Sequence, residues 1–176
     1  MYYVIQCAPG KEEQTIQMIT RIVDQSLYTT CFHLTRDLRK KIHGEWKTIH
    51  EKLLPCYIFI QTETPEQFHL ETKRVPALTK FLGQEEGDFI PLKPNEAAWV
   101  DRLTGKGSQP SIPVSQIEIA EGDKVNILTE PLAGMQGYIK KINLHKRIAE
   151  VEVEILGRKT VLHLGVEFVQ KTARDN

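Results

Sequence analysis

The sequence predicts an α+β protein: an antiparallel sheet with flanking helices, then a flexible linker, then a small five-stranded all-β barrel. Three observations predict this. Strand-like and helix-like stretches are mixed up to residue 103; a run rich in Gly, Ser and Pro interrupts every pattern over 104–116; and from 117 to 176 only short strand patterns remain. A chain of 176 residues accommodates one ordinary domain or two small ones.

The elements follow in order. Residues 2–6 are aromatic or β-branched, a strand that ends at Pro9-Gly10. From Lys11 onward Ile16, Ile19, Ile22 and Val23 recur at helical spacing, with Glu12, Glu13 and Gln17 expected on the opposite side. A strand over 31–35 leads into a charged stretch whose tip is His43-Gly44-Glu45, and 46–52 returns from it. Residues 57–61 form a further strand. Thr64-Pro65-Glu66-Gln67 is a helix start, with Thr as N-cap, Pro at the first position and Gln closing a capping box. That helix ends before Pro76, because the residue preceding a proline avoids helical angles. A strand over 78–82 and a helix over 95–103, with Trp99 and Leu103 on one face, complete the first part. After the linker, strands are expected at 124–128, 137–142, 148–155, 160–164 and 166–169. The third of these alternates, with Val151, Val153 and Ile155 against Glu150, Glu152 and Glu154. Short strands in so small a unit suit a barrel, which removes exposed edges.

Composition narrows the function. Hydrophobic residues make up 40% and charged residues 26%, enough for a packed core. No run of about 18 apolar residues spans a membrane, and the N-terminus lacks the basic start and apolar run of a signal peptide, so a cytoplasmic protein is expected. Cys7, Cys31 and Cys56 form no CxxC pair or metal spacing and are read as buried thiols. Twenty-three basic residues balance 23 acidic ones, so any nucleic-acid surface must be local. One such place exists. Between residues 36 and 52 stand six Lys/Arg against three acids, and such a cluster on a hairpin can clamp a phosphate backbone. No Walker loop, GxGxxG, HExxH, GxSxG or plausible carboxylate pair is present, and the six histidines are scattered singly; no enzyme, metal or cofactor is expected.

Two sets of motifs carry a family resemblance. Gly122-Asp123-Lys124-Val125 and then Pro131-Leu132-Ala133-Gly134-Met135-Gln136-Gly137 resemble the KOW motif, in which Gly137 would allow a tight turn. Ile155-Leu156-Gly157-Arg158-Lys159-Thr160 looks like the turn that closes the NusG barrel. In the first part, Tyr2-Tyr3-Val4-Ile5-Gln6, Leu54-Pro55-Cys56-Tyr57-Ile58-Phe59 and Arg74-Val75-Pro76-Ala77-Leu78-Thr79-Lys80-Phe81-Leu82-Gly83 resemble segments of the NusG N-terminal (NGN) domain. The chain is thus similar to the NusG family throughout, apart from the linker. Residues 36–52, the short first domain and Glu45-Trp46 look most like LoaP, a specialised antiterminator paralog that recognises a leader-RNA hairpin.

The resemblance implies a monomeric, non-enzymatic transcription elongation and antitermination factor. Its RNA polymerase contact, with the clamp helices of the largest subunit, would fall on Leu54, Pro55, Tyr57 and Phe81, of which Phe81 serves equally well as core. Cys56 replaces the usual glycine there. Nucleic acid, an RNA hairpin above all, would meet Arg36, Arg39, Lys40, Lys41, His43 and Lys47, with Lys73 and Arg74 as further phosphate contacts. Arg74 and Val75 stand where some relatives carry a polar pair that reads non-template DNA. On the barrel, Met135, Ile155, Leu156 and Arg158 match the surface that recruits ribosomal protein S10 or Rho, and Leu132 and Met135 replace two usual phenylalanines. A general NusG factor and a KOW-containing ribosomal or translation protein are the alternatives; the second would call for a strongly basic chain.

Overall fold

Tyr2, Tyr3, Val4 and Ile5 are all buried, so the first strand is apolar on both faces and both must be covered. The computed structural model, which describes residues 1–76, 78–85 and 88–169, shows how. In chain order the elements are β1 (Tyr2–Cys7), α1 (Glu12–Ile22), β2 (Thr30–Phe32), β3 (Thr35–Ile42), β4 (Glu45–Lys52), β5 (Tyr57–Gln61), α2 (Pro65–Thr72) and β6 (Leu78–Phe81). They continue with β7 (Gln84–Glu85), β8 (Asp88–Phe89), α3 (Pro94–Thr104), β9 (Ser111–Ile112), β10 (Ser115–Ile119), β11 (Val125–Ile127), β12 (Ile139–Asn143), β13 (Ile148–Ile155) and β14 (Arg158–Phe168). Strands β2, β5, β1 and β6 form an antiparallel sheet in that order. The order β11-β10-β14-β13-β12 describes a curled five-stranded sheet after it. The α+β class with a small terminal β unit is what the sequence predicts.

On one face of the first sheet, Tyr3, Ile5, Ile58 and Ile60 pack with Ile19 and Phe68 of α1 and α2. On the other, Tyr2, Val4 and Phe59 pack with Trp99, Val100 and Leu103 of α3. That second core does not stop at α3. It runs on through Ile117, Leu132, Met135, Val151, Val153 and Leu164, so the curled sheet is docked against the first part of the chain. The alternation of β13 is as expected, with Ala149, Val151, Val153 and Ile155 all inside.

Several elements differ from expectation. The strand over 31–35 breaks at His33-Leu34, and β3 starts a separate sheet with β4 and β9. Thr64 makes no side-chain cap; its own N–H donates to Thr62 Oγ1 at 3.0 Å, while Pro65 does stand at the first helical position. The two strands expected around Gly165 are one, β14, and β10 (Ser115–Ile119) was not foreseen; it pairs parallel with β14 and antiparallel with β11. Gly165 is not a break but a close approach: a Cβ there would lie 2.4 Å from the Asp37 carbonyl oxygen and 3.2 Å from Leu38 Cα. Gly137 lies within the 3-10 turn Leu132–Tyr138 with no positive φ and open space around it, so the tight turn expected of it is not made there. In the segment expected as linker, Ile112 is buried and β9 pairs parallel with β3. Of the cysteines only Cys7 is fully buried; all three are free thiols.

Glu12 was expected on the solvent side of α1 and is instead buried. Its carboxylate accepts from Lys52 Nζ at 2.7 Å and from the Cys56 N–H at 2.8 Å. Cys56 itself adopts φ 72°, the left-handed conformation in which the family's glycine would be at ease. The turn is therefore kept despite the Cβ, with Glu12 holding its N–H. Burial alone would raise the Glu12 carboxyl, but the bonds from Lys52 and Cys56 outweigh it and bring it down to about 2. The folded value lies below the ordinary 4.5, so the stabilisation is complete above pH 4.5 and is lost as pH falls toward 2. Glu12→Gln should cost about 1.5–3 kcal/mol at neutral pH, the range for hydrogen bonds to charged groups. It should also flatten the acid limb of stability, measured by denaturant unfolding across that pH window; an unchanged limb would remove Glu12 from this role.

Candidate nucleic-acid and protein interfaces

Strands β3 and β4 form a long hairpin turned by His43 and Gly44, both at positive φ. The pairing sets Lys40 opposite Lys47 and Lys41 opposite Trp46, so the ladder itself gathers like charge near the tip. Not all of the basic cluster is available. Arg39 donates to Thr48 Oγ1 at 2.8 Å and to the Trp46 carbonyl at 3.2 Å, and its Nε lies 3.4 Å from a Glu167 carboxylate oxygen. Arg36 donates to the His163 carbonyl and pairs with Glu51 at 3.4 Å. These two arginines tie the hairpin to β14. Lys40, Lys41, His43 and Lys47 are exposed, with no ion pair among the described residues. They are the part of the hairpin's predicted set free to meet phosphate. Lys73 and Arg74 are exposed at the end of α2.

The residues expected to receive a polymerase helix separate into two groups. Leu54 and Tyr57 are half-buried and pack on the edge of the core beside α3, with Pro55 exposed between them. Phe81 lies on the opposite face, buried among Phe68, Phe89 and the His69 ring at centroid distances of 6.1, 5.0 and 5.3 Å. It is a core residue of the α1/α2 side and does not join the other three.

The docked sheet meets α3 through the turn after β13. Trp99 is buried against Phe59, and its indole N–H donates to the Glu154 carbonyl at 2.9 Å. Glu96 bridges two elements, accepting from the Lys93 N–H at 2.9 Å at the helix start and from the Gly157 N–H at 3.0 Å. Arg102 donates to the Gly134 carbonyl at 2.8 Å. Of the expected partner surface, Met135 is fully buried and Ile155 nearly so, and both present nothing to solvent in this arrangement. Leu156 is half-buried, with its Cδ2 3.2 Å from where a Gly83 Cβ would stand; Arg158 is exposed. Glu96, Trp99 and Arg102 escaped the sequence reading of sites. Only the apolar face of α3 hinted at them, and it did not say what would cover it. Among the described residues no group of three or more His, Cys, Asp or Glu side chains is placed to hold a metal, and no helix is long and apolar enough to cross a membrane.

Comparison with known proteins agrees with this architecture. Residues 1–102 match the family model described as transcription termination factor nusG. The transcription termination/antitermination protein NusG of Thermus thermophilus is 26% identical over 180 residues, covering 97% of both chains. That of Neisseria meningitidis is 26% identical over 175 residues, again with 97% coverage of each. A solved structure of Thermotoga maritima NusG, described by its domain interaction, superposes with a TM-score of 0.54 at 21% identity over 93% of this chain and 92% of that one. Fold and family together define the class: a transcription factor. Within it, the chain belongs to the NusG family.

The docking of the curled sheet depends on the absent side chain at Gly165. Gly165→Val, which suits a strand but places a Cβ against the Asp37 carbonyl, should separate the sheet from β3 while leaving β13–β14 pairing intact. The expected readout is faster hydrogen exchange of the Trp99 indole N–H by NMR. Exchange as slow as in the wild type would show that docking tolerates the added methyls.

Proposed function

We propose that this chain is an antitermination factor of the LoaP type. It binds the clamp helices of the largest RNA polymerase subunit through its first part, and it captures a leader-RNA hairpin with the β3–β4 hairpin. The observation that carries the RNA reading is the exposed set Lys40, Lys41, His43 and Lys47, with no ion pair among the described residues, at the tip of a hairpin in a chain of zero net charge. Concentrated charge of this kind binds closely spaced phosphates and steers association. Duplex RNA hides its major groove, so sequence would be read at loop or bulge bases. The polymerase reading is supported by Leu54, Pro55 and Tyr57, an apolar edge with an aromatic anchor beside a proline that cannot donate to a ladder.

Division into 1–103, 104–116 and 117–176 as separable units is part of this proposal, as is recruitment of ribosomal protein S10 or Rho by the last. Ile155 and Leu156 lie against the first part here, so a partner that uses them must first displace the docked sheet. Contact between Lys73 or Arg74 and non-template DNA belongs to the same reading; their exposure is compatible with it.

Two measurements test this. Leu54→Glu with Tyr57→Glu should abolish co-purification with RNA polymerase, since losing an interface anchor commonly costs about 2 kcal/mol or more and a buried unpaired charge adds to it. Undiminished capture by a variant that still unfolds cooperatively would withdraw the assignment. Lys40, Lys41 and Lys47 changed together to Gln should lower the slope of log affinity against log salt by roughly two to three for a structured RNA, at about 0.7–0.9 per phosphate. If the wild type prefers no structured RNA over a scrambled control at physiological salt, the chain is a general NusG factor.

A further inference from the structure

The β12–β13 turn brings His145, Lys146 and Arg147 alongside the β3–β4 hairpin. The Arg147 guanidinium stacks 3.7 Å over the Trp46 ring, joining the curled sheet to the hairpin by a cation–π contact. Between the two lies a cleft of about 620 Å³. Its rim carries Arg36, Arg39, Lys40, Lys41 and Lys146, with Glu51 as the one carboxylate lining it. Its floor is apolar, formed by Leu38, Trp46, Ile49 and Ile148. The Arg36 Nε is buried without a hydrogen-bond partner among the described residues.

We infer that this cleft is a composite site for one unpaired nucleotide of RNA, with its base on the apolar floor and its flanking phosphates held between Lys40 and Lys41 on one wall and Lys146 on the other. This rests on the reading that the basic hairpin contacts RNA. It goes further in two ways: the curled sheet supplies one wall, and the RNA therefore binds the docked form of the chain. The chemistry of the cleft selects this ligand. Arg36 is paired with Glu51 and Arg39 with Glu167, but Lys40, Lys41 and Lys146 have no ion pair among the described residues, so the net charge of the rim favours an anionic occupant. An aromatic and aliphatic floor favours a flat base over a bare phosphate or sulfate. A volume of this size admits a nucleotide and no duplex, so the base must come from a loop or bulge.

The test uses the full chain and a fluorescein-labelled RNA stem-loop with a randomised loop, with the fully paired stem as control. Lys146 is exposed and its side chain makes no bond among the described residues, so Lys146→Gln leaves the fold undisturbed. It should lower the salt slope for the stem-loop by about 0.7–0.9, the loss of one phosphate, and leave binding of the paired stem unchanged. Adding the stem-loop to the wild type should slow hydrogen exchange of the Trp99 indole N–H, because RNA that bridges both walls holds the sheet in place. If Lys40→Gln with Lys41→Gln weakens binding but Lys146→Gln does not, the composite cleft is overturned while the hairpin's RNA reading stands. If no variant matters, or the wild type fails to bind the stem-loop at physiological salt, both fall. Faster Trp99 exchange on adding RNA also overturns the inference, since RNA would then open the molecule. Equal competition by polyglutamate would do so as well, assigning the cleft to acidic proteins.

Discussion

The structure rests on the burial of Trp99. The first sheet is apolar on both faces, and α1 and α2 cover only one of them. Helix α3 covers the other, yet a single helix of 11 residues cannot itself be shielded on its far side. The curled sheet closes that gap. Trp99 can be fully buried because Phe59 receives its ring and the Glu154 carbonyl receives its N–H; an unpaired buried donor would cost about 1–3 kcal/mol. The same helix offers Glu96 and Arg102 to backbone groups of the turns at Gly157 and Gly134, so three neighbouring turns of α3 are engaged at once.

That arrangement has consequences at both ends of the contact. Ile155 and Leu156 are turned inward by it, as Glu154 and Gly157 on either side bond to α3. At the hairpin, Arg36, Arg39 and Arg147 fasten β3 and β4 to the curled sheet through the His163 carbonyl, Glu167 and Trp46. Docking therefore sorts the basic cluster into two kinds. At this contact arginines, with their planar forks, make the fixed contacts, while Lys40, Lys41 and Lys47, as solvated point charges, remain exposed and Lys52 is held by Glu12. A linear count of charge cannot make that distinction.

Much of the fold was legible because local pattern and tertiary environment agreed. In β13 a strict two-residue alternation meets one buried face and one half-exposed face. The helix start at Pro65, the hairpin tip at His43-Gly44 and the apolar face of α3 were likewise carried by local chemistry. Where reading failed, a distant group had intervened. Gly165 resembles a strand break, but it lies where β14 passes against the backbone of β3. Glu12 occupies a polar position of an amphipathic helix, but Lys52 and the Cys56 N–H make its burial tolerable. Strand β10 had no apolar run to announce it, since Ser115 and Ile117 find their places only once β14 is beside them.

The sequence by itself determined the class of fold, most of the strands and helices, the family to which the chain belongs, and a local excess of positive charge on one hairpin. These follow from periodicity, turn chemistry and motif order, which act over a few residues at a time. Tertiary structure alone decided which face of α3 would be shared, that Phe81 belongs to one core and Tyr57 to the edge of the other, and which basic residues remain free. Those outcomes depend on groups up to 127 residues apart, as with Arg36 and the His163 carbonyl. Contacts of that span form only when the two sheets meet, and no local pattern records which surfaces will do so.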